Sequence, residues 1–301
     1  MTSNLGASVL ARLLSLAKQR GDDYNLLLNR FGLERLLCRL SNSPYADRFL
    51  LKGALLFAYW YDERHRPTRD ADLLGFGQDD AAHLVAIFRE VAAMEMADGI
   101  VFEPDSVRAD EIREDNTYGG IRINLVGRIN AARCSLQIDI GFGDAVTPTA
   151  ETVVFPTLLN DFQAPILKVY PIYTVIAEKY QAMVLLELAN SRMKDFYDLA
   201  VIARRTELDG KTLAEAIAAT FARRNSPLPL VRPLALTDQF SKDAGKQRQW
   251  QAFLKKNRID GASLEATVEL LERLLWLPTE VATGKSMPTT WVASQGCWTL
   301  R

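Results

Sequence analysis

Two aspartates one residue apart, Asp70 and Asp72, are the clearest sign of chemistry in the chain. They lie in residues 68–76, a short run ending near a glycine that predicts a β-strand. Side chains two residues apart on a strand project from the same face. Carboxylates held that close repel each other unless a cation lies between them, and hard oxygen ligands favour Mg²⁺. The pair therefore predicts a magnesium site.

A third carboxylate, Asp139, lies in another predicted strand, residues 132–140, between Ile138 and Ile140. This alternation places Asp139 on the face opposite to the core. Three carboxylates on neighbouring strands can hold two Mg²⁺ ions about 3.5–4 Å apart, an arrangement that supports in-line phosphoryl displacement. We therefore expect Asp70, Asp72 and Asp139 to bind two magnesium ions.

The dipeptide Lys52-Gly53 begins an apolar run to residue 61, which predicts a turn followed by a buried helix. Backbone N–H groups at the start of a helix can bind phosphate, so this turn is a candidate triphosphate site. An isolated Asp-x-Asp pair is more often a solvated turn or a salt-bridged surface. Asp139 on a second strand and the upstream Lys52-Gly53 make a catalytic site the favoured interpretation.

The elements around these residues indicate an α+β fold, with strands in the middle of the chain and helices before and after them. Periodic apolar residues predict helices over 8–40 (with breaks at Gly21 and Gly32), 79–96, 173–188 and 194–205, and helical structure over 211–277. Residues 119–126 and 132–140 predict a hairpin with its turn at 127–131, whereas residues 141–171 are loop-like and residues 278–301 have no clear pattern. We expect two domains, residues 1–171 with the sheet and residues 172–301 as a helical domain.

The bulk composition narrows the class of protein. The 301 residues carry a formal net charge of −1, which argues against a globally basic, DNA-coating protein. The three cysteines contain no Cys-x-x-Cys pair, which disfavours structural zinc and a disulfide framework. The chain shows neither the apolar run of a signal peptide nor the ~18–20 apolar residues of a membrane span. We therefore expect a cytoplasmic protein with no membrane partner.

Four motifs in this order resemble the AbiEii/AbiGii-type nucleotidyltransferases, which include the toxins of type IV toxin–antitoxin pairs. They are FLLKGALLFAYWY…RPTRDADLLGF, LQIDIGFGD, IAEKYQAMV and RMKDFYDLAVI, spanning about residues 45–205. The resemblance implies a polymerase-β-like nucleotidyltransferase core with a C-terminal helical domain. It also implies Mg²⁺-dependent transfer of a nucleoside monophosphate from an NTP.

The resemblance also implies roles for individual residues. Asp70 and Asp72 would bind metal together with Asp139, and Asp144 would be a neighbour of this group. Ala54 has no hydroxyl, so a side-chain bond to the γ-phosphate from that position is lost. The NTP-binding set would be Lys52, Gly53, Ala54, Arg66, Thr68 and Lys179, with Lys52, Arg66 and Lys179 neutralising the triphosphate.

The family's last two motifs fall on the predicted helices 173–188 and 194–205. Lys179, beside Glu178, would bind a nucleotide phosphate, although an ordinary exposed helix lysine is an equal alternative without the family. Asp195 would orient Lys179 or the incoming hydroxyl. Asp198 lies on the same helix face as Asp195. A structural role for Asp198, in helix capping and a salt bridge to Arg192 or Lys194, is an equal alternative to a role in the active site. The catalytic set is thus expected to be Asp70, Asp72, Asp139, Lys179 and Asp195.

The resemblance implies an RNA acceptor, a tRNA 3′ end, and a separately encoded antitoxin protein. Two alternatives stay open: a nucleotidyltransferase that modifies a protein or small-molecule hydroxyl, and an inactive NTP-binding module, which Ala54 favours. A basic stretch over residues 223–258 is a solvated helical face by default and a candidate RNA track beside such a core. His65 and His83 are expected at the surface, outside the chemistry.

Overall fold

A computed structural model describes residues 2–61, 66–114, 118–284 and 289–300, so His65 lies outside the described residues. The chain divides into two compact units. The first contains residues 1–143 and 150–170, and the second contains residues 144–149 and 171–301. The division into domains at residues 171 and 172 stays a prediction, because compactness does not show that either part folds alone.

The first unit contains the predicted N-terminal helices. They are α1 (Thr2–Arg20), α2 (Tyr24–Ser41), α3 (Leu56–Tyr61) and α4 (Ala81–Ala93). Asp23 caps α2 by accepting a hydrogen bond from the Leu26 N–H at 3.0 Å. Gly21 breaks the helix as predicted, with a φ of +66°, whereas Gly32 lies inside α2. A Cβ at Gly32 would lie 3.0 Å from Leu136, so this glycine permits close packing of helix and sheet.

A mixed seven-stranded sheet forms the centre of the first unit, with the order β3-β4-β5-β2-β1-β7-β6. Its strands are β1 (Phe49–Lys52), β2 (Asp70–Gly75), β3 (Val101–Glu114), β4 (Tyr118–Ile129), β5 (Ala132–Phe142), β6 (Glu151–Val154) and β7 (Ile166–Val169). β2 pairs in parallel with β5 and antiparallel with β1. In β5, Leu136, Ile138 and Ile140 are buried, and the residues between them are half-buried. The α+β class predicted from the sequence is confirmed.

Several strands lie in segments where the sequence predicted none. β3 is an edge strand with a register shift between Glu103 and Arg108, so it lacks the regular alternation of a strand with one buried face. β6 and β7 have four residues each and lie in the segment predicted as a loop. Such short strands depend on their neighbours for stability rather than on a pattern of their own.

The second unit is mainly helical, as predicted. Its helices are α5 (Ile172–Leu186), α6 (Met193–Arg205), α7 (Gly210–Arg223), α8 (Asp238–Ser241), α9 (Ala244–Asn257) and α10 (Leu264–Ala282), and its strands are β8 (Leu208–Asp209), β9 (Thr289–Val292) and β10 (Cys297–Leu300). The tail forms the hairpin β9–β10, in which the buried Trp291 donates to the Ala203 carbonyl at 2.7 Å. No helix in the described ranges is long and apolar enough to cross a membrane.

Candidate active site

Three aspartates of the first unit converge at one point of the sheet. Asp70, Asp72 and Asp139 each offer a carboxylate oxygen, and these atoms all lie within 4.8 Å of one another. The pairing of β2 with β5 places Asp72 directly beside Asp139, and Asp70 lies two residues earlier on the same face. The three residues are half-buried, so their carboxylates are accessible to an ion from solution.

Asp72 and Asp139 are the two central members of a row that crosses four strands. Arg122 of β4 pairs with Asp139 of β5, Asp139 pairs with Asp72 of β2, and Asp72 pairs with Lys52 of β1. Directly paired residues project from the same face of a sheet. The row therefore places a cationic side chain on each side of two adjacent carboxylates.

Arg122 contacts Asp139 through a bidentate ion pair. Its Nε donates to Oδ1 at 2.9 Å and its Nη2 donates to Oδ2 at 2.8 Å. The hydrogen bond to Asp139 raises the pKa of the Arg122 guanidinium above its ordinary value. Gln137 Nε2 also donates to Asp139 Oδ1, at 3.2 Å. Neither residue was predicted from the sequence, and both hold the carboxylate in a fixed orientation.

Thr68 fixes the orientation of Asp70. Its hydroxyl Oγ1 donates to Asp70 Oδ1 at 2.6 Å, and both residues are half-buried. A short hydrogen bond to an ionised oxygen is stronger than one between neutral groups. Thr68 therefore holds a metal-site aspartate in place. The sequence predicts that Thr68 binds the nucleotide and does not predict this hydrogen bond.

Gly53 lies against the Asp72 side chain. Its φ is +73°, a backbone conformation that glycine adopts at little cost, and a Cβ there would lie 1.9 Å from Asp72 Oδ2. The residue after it, Ala54, is buried in the short 3₁₀ turn Gly53–Leu55 that leads into α3. Only glycine allows this turn to approach the carboxylate so closely.

Two of the three cations predicted for the triphosphate, Lys52 and Arg66, lie in the first unit. The Lys52 Nζ lies 5.6 Å from the centre of the Tyr170 ring, and a Cβ at Gly141 would be 3.3 Å from the same nitrogen. The Lys52 amine thus lies over β5, two residues beyond Asp139. Arg66 is half-buried in the segment that precedes β2.

Within the second unit, Lys179 is held by two buried aspartates. Its Nζ donates to Asp195 Oδ1 at 2.6 Å and to Asp198 Oδ2 at 2.8 Å. The Lys179 side chain is 12% exposed, whereas those of Asp195 and Asp198 are 1% and 0% exposed. The interpretation of Lys179 as an ordinary exposed lysine is therefore wrong. Asp198 contacts Lys179, which was not among the partners predicted for it.

Asp195 has a second cationic partner. Arg192 Nε donates to its Oδ2 at 2.7 Å. Burial by itself raises the pKa of this carboxyl, but the charges of Lys179 and Arg192 outweigh burial, so the pKa is lowered. Asp195 is therefore ionised in the folded protein at neutral pH, and it accepts the hydrogen bond from Lys179 as a carboxylate.

Arg224, at the end of α7, forms a further ion-paired group in the second unit. Its Nη2 lies 3.0 Å from Asp144 Oδ1 and 3.6 Å from Glu178 Oε2, and its Nη1 donates to Gln181 at 3.0 Å. The sequence placed Arg224 only in the basic stretch. Nothing in the local pattern indicates that it joins Asp144 to the helix that carries Glu178 and Lys179.

The carboxylate cluster fits a divalent cation by its chemistry. All three side chains offer hard oxygen donors, and the spacing of at most 4.8 Å allows one ion to contact more than one of them. Among the described residues, these aspartates are the one group of three or more His, Cys, Asp or Glu side chains whose ligand atoms lie close enough together to hold an ion. His83 lies apart from the chemistry, with its Nε2 2.8 Å from Arg48 Nη1.

No curated protein matches the chain. Among solved structures, JHP933 from Helicobacter pylori aligns with a TM-score of 0.51 at 15% identity, covering 87% of this chain and 94% of that chain. A second H. pylori protein, described as a candidate nucleotidyltransferase, aligns with a TM-score of 0.48 at 15% identity, covering 87% of this chain and 97% of that chain. The likeness to JHP933 concerns the fold alone. The family described as "Nucleotidyl transferase AbiEii toxin, Type IV TA system" matches residues 35–273. This chain is therefore a nucleotidyltransferase and belongs to the AbiEii toxin family.

Proposed function

We propose that this protein transfers a nucleoside monophosphate from an NTP to an RNA acceptor, a tRNA 3′ end, with Mg²⁺ held by Asp70, Asp72 and Asp139. The observation that carries the proposal is the convergence of these three carboxylates within 4.8 Å. When bound, the cation supplies Lewis-acid stabilisation of the charge that develops on the phosphoryl oxygens.

The protein's own groups contribute position and charge. Thr68 orients Asp70 through a 2.6 Å hydrogen bond, and Arg122 with Gln137 orients Asp139. Lys52 and Arg66 are proposed to neutralise the triphosphate, and the turn at Gly53 and Ala54 to contact it through the backbone. The acceptor hydroxyl oxygen would attack the α-phosphate in line with the leaving pyrophosphate, so that the new P–O bond forms as the α–β P–O bond breaks.

For the second unit, we propose separately that Lys179 binds a nucleotide phosphate. Asp195 and Asp198 hold its ammonium group in one position, with Nζ distances of 2.6 and 2.8 Å. A lysine fixed in this way loses little conformational entropy when an anion binds.

Membership of a toxin–antitoxin family also supports a cognate antitoxin protein as a partner.

The proposal is tested by incubating the full chain with each labelled NTP, Mg²⁺ and total tRNA, and then separating RNA from protein. We expect label on RNA with at least one NTP, and loss of transfer by more than about 100-fold in Asp70→Asn and Asp139→Asn, because each removes a charge at the reacting centre. Asp105→Asn, an exposed aspartate of the edge strand, is the matched control.

The other outcomes separate the alternatives. Label on protein instead of RNA would replace the RNA acceptor by a protein hydroxyl. NTP binding measured by calorimetry without pyrophosphate release for any acceptor would identify an inactive binding module. Equal transfer by wild type and Asp70→Asn would overturn the assignment of the carboxylate site itself.

A further inference from the structure

Helices α6 and α9 of the second unit present one sign of charge to solvent. Both lie wholly inside the described part of the chain, and their exposed charged residues are all basic: Lys194, Arg204 and Arg205 on α6, and Arg248, Lys255 and Lys256 on α9. The only acids of α6, Asp195 and Asp198, are fully buried, and α9 contains none. In a protein of formal net charge −1, this is a local positive surface.

Aromatic side chains of the two helices contact each other. Tyr197 of α6 lies 5.8 Å from Phe253 and 6.5 Å from Trp250 of α9, measured between ring centroids. Trp250 is buried and donates to the Ala262 carbonyl at 3.0 Å, whereas Tyr197 and Phe253 are half-buried. Two aromatic rings are therefore partly accessible, on a rigid support.

Three of these basic residues lie on the same helix faces as the rings. Lys194 precedes Tyr197 by three residues and Arg204 follows it by seven, and Lys256 follows Phe253 by three. Positions three, four and seven apart lie on one side of a helix. The surface thus combines accessible rings with flanking cations, and we call it the α6–α9 surface. Glu207 and Asp260 are exposed acids that follow shortly after each helix ends.

Three bases of the stretch 223–258 do not belong to the α6–α9 surface, because they are paired with acids or buried. Arg224 is paired with Asp144, Lys246 is buried with its Nζ 2.9 Å from the Asn190 carbonyl, and Arg232 is paired with Glu272. These residues stabilise the unit. Of the exposed bases of α9, only Lys256 lies on the side of the helix that carries Phe253, whereas Arg248 and Lys255 lie on other sides.

We propose that the α6–α9 surface binds a single-stranded segment of RNA, with bases stacked on Tyr197 and Phe253 and phosphates contacting the surrounding lysines and arginines. Unpaired bases stack on aromatic rings, while cations neutralise the backbone. An acidic protein would use the cations but has no groups that require the rings. The choice of RNA rests on the proposed function, whereas the surface itself rests on α6 and α9 alone.

Fluorescence anisotropy tests the proposal with a labelled, unstructured oligoribonucleotide of about 12 nucleotides, within the range that single-strand binders cover. The full chain is titrated without NTP over a series of salt concentrations. We expect the triple variant Lys194→Glu, Arg204→Glu, Lys256→Glu to bind at least tenfold more weakly. The slope of log K against log salt should become shallower by about 2, because each lost phosphate contact removes about 0.7.

A matched control reverses three exposed bases elsewhere, Lys18→Glu, Lys211→Glu and Arg133→Glu. Tyr197→Leu separates stacking from charge: we expect about tenfold weaker binding with an unchanged salt slope. Phe253→Leu repeats this test, and circular dichroism with urea unfolding identifies a variant that has lost its fold.

RNA affinity that is unchanged in the triple variant, or reduced equally in the control, would overturn the proposal. RNA binding as in wild type together with loss of binding to a polyglutamate chain would assign the surface to an acidic protein instead. The triple variant should still bind Mn²⁺ at Asp70, Asp72 and Asp139 with wild-type affinity. Failure of RNA binding is thus distinguishable from failure of the catalytic assignment.

Discussion

A side chain at residue 53 would occupy the space of Asp72, because a Cβ built on Gly53 lies 1.9 Å from the Asp72 Oδ2. The Asp72 carboxylate can therefore occupy its position only because the turn before α3 has a glycine there. This contact joins the Lys-Gly dipeptide to the Asp-x-Asp pair, although Gly53 and Asp72 are 19 positions apart in the sequence.

Gly53→Ala should weaken metal binding by more than tenfold, because Asp72 must move to make room for the methyl group. The backbone φ of +73° adds roughly 1–2 kcal/mol of destabilisation in a non-glycine residue. Mn²⁺ binding followed by electron paramagnetic resonance, together with urea unfolding, measures both effects. Gly21→Ala is the control, since Gly21 has a φ of +66° and no atom within 4 Å of its Cβ position. Equal loss of Mn²⁺ affinity in both variants would contradict this explanation.

Thr68→Val should weaken Mn²⁺ binding about tenfold, because it removes the hydroxyl that donates to Asp70 at 2.6 Å. A hydrogen bond to a charged group is worth about 1.5–3 kcal/mol, enough for such a change. Thr68→Ser keeps the hydroxyl and should retain the affinity. If valine and serine have the same effect, Thr68 contributes by packing and not by orienting the carboxylate.

Arg122→Gln should tighten Mn²⁺ binding about threefold to tenfold, since the guanidinium occupies both Asp139 oxygens and adds a positive charge beside the ion. One charge near a partly exposed site is worth on the order of 1 kcal/mol. Arg128→Gln is the matched control, because Arg128 lies on the same strand and pairs with Glu103 instead. Weaker Mn²⁺ binding in Arg122→Gln would show that the orientation of Asp139 matters more than the competing charge.

Alternation within single strands was enough to predict the three aspartates, but not what surrounds them. The alternating pattern predicted that the carboxylates of residues 68–76 and of residues 132–140 each project from one face of a strand. The parallel pairing of β2 with β5 depends on long-range topology, which no local pattern indicates. Arg122 was not predicted as a partner of Asp139, because the predicted turn was too long to give the observed pairing of the two strands. The predicted turn covered residues 127–131, and the observed turn is the two residues Asn130 and Ala131, with a φ of +49° at Asn130. Only this tighter turn brings Arg122 opposite Asp139.

The helices of the second unit were predictable for a different reason. Residues 173–188 carry a strong apolar period and correspond to α5, whose observed bounds are Ile172–Leu186. A helix is specified by neighbours along the chain. The partner of Arg224 lies 80 residues away, at Asp144, and the short strands β6 and β7 depend on each other. Such contacts leave no local period in the sequence.

Lys179→Met should destabilise the protein by about 3–5 kcal/mol, because it leaves Asp195 and Asp198 buried without the ammonium group that both contact. Urea unfolding at pH 7 measures the loss. Lys194→Met, an exposed lysine at the start of the same helix as Asp195, should change the free energy of unfolding by less than about 0.5 kcal/mol. An equally small effect at Lys179 would mean that the two aspartates are held by other groups.

The contribution of Asp195 to stability should disappear in acid. Its pKa in the folded protein is lowered below the unfolded value of about 3.9, since Lys179 and Arg192 outweigh the effect of burial. A carboxyl with a lowered pKa stabilises the fold above the unfolded pKa and loses this effect as the pH falls through the folded pKa. The difference in free energy of unfolding between wild type and Asp195→Asn should therefore be largest near pH 6–7 and shrink below about pH 4.

Urea titrations at intervals between pH 3 and pH 7 measure this difference. The control is Asp161→Asn, because the hydrogen bond from Arg12 also lowers the pKa of Asp161, but this pair is exposed and solvent screens it. We expect almost no pH-dependent difference for that variant. A difference between wild type and Asp195→Asn that stays constant down to pH 3 would mean that Asp195 acts through packing, and that its ionised form does not hold Lys179.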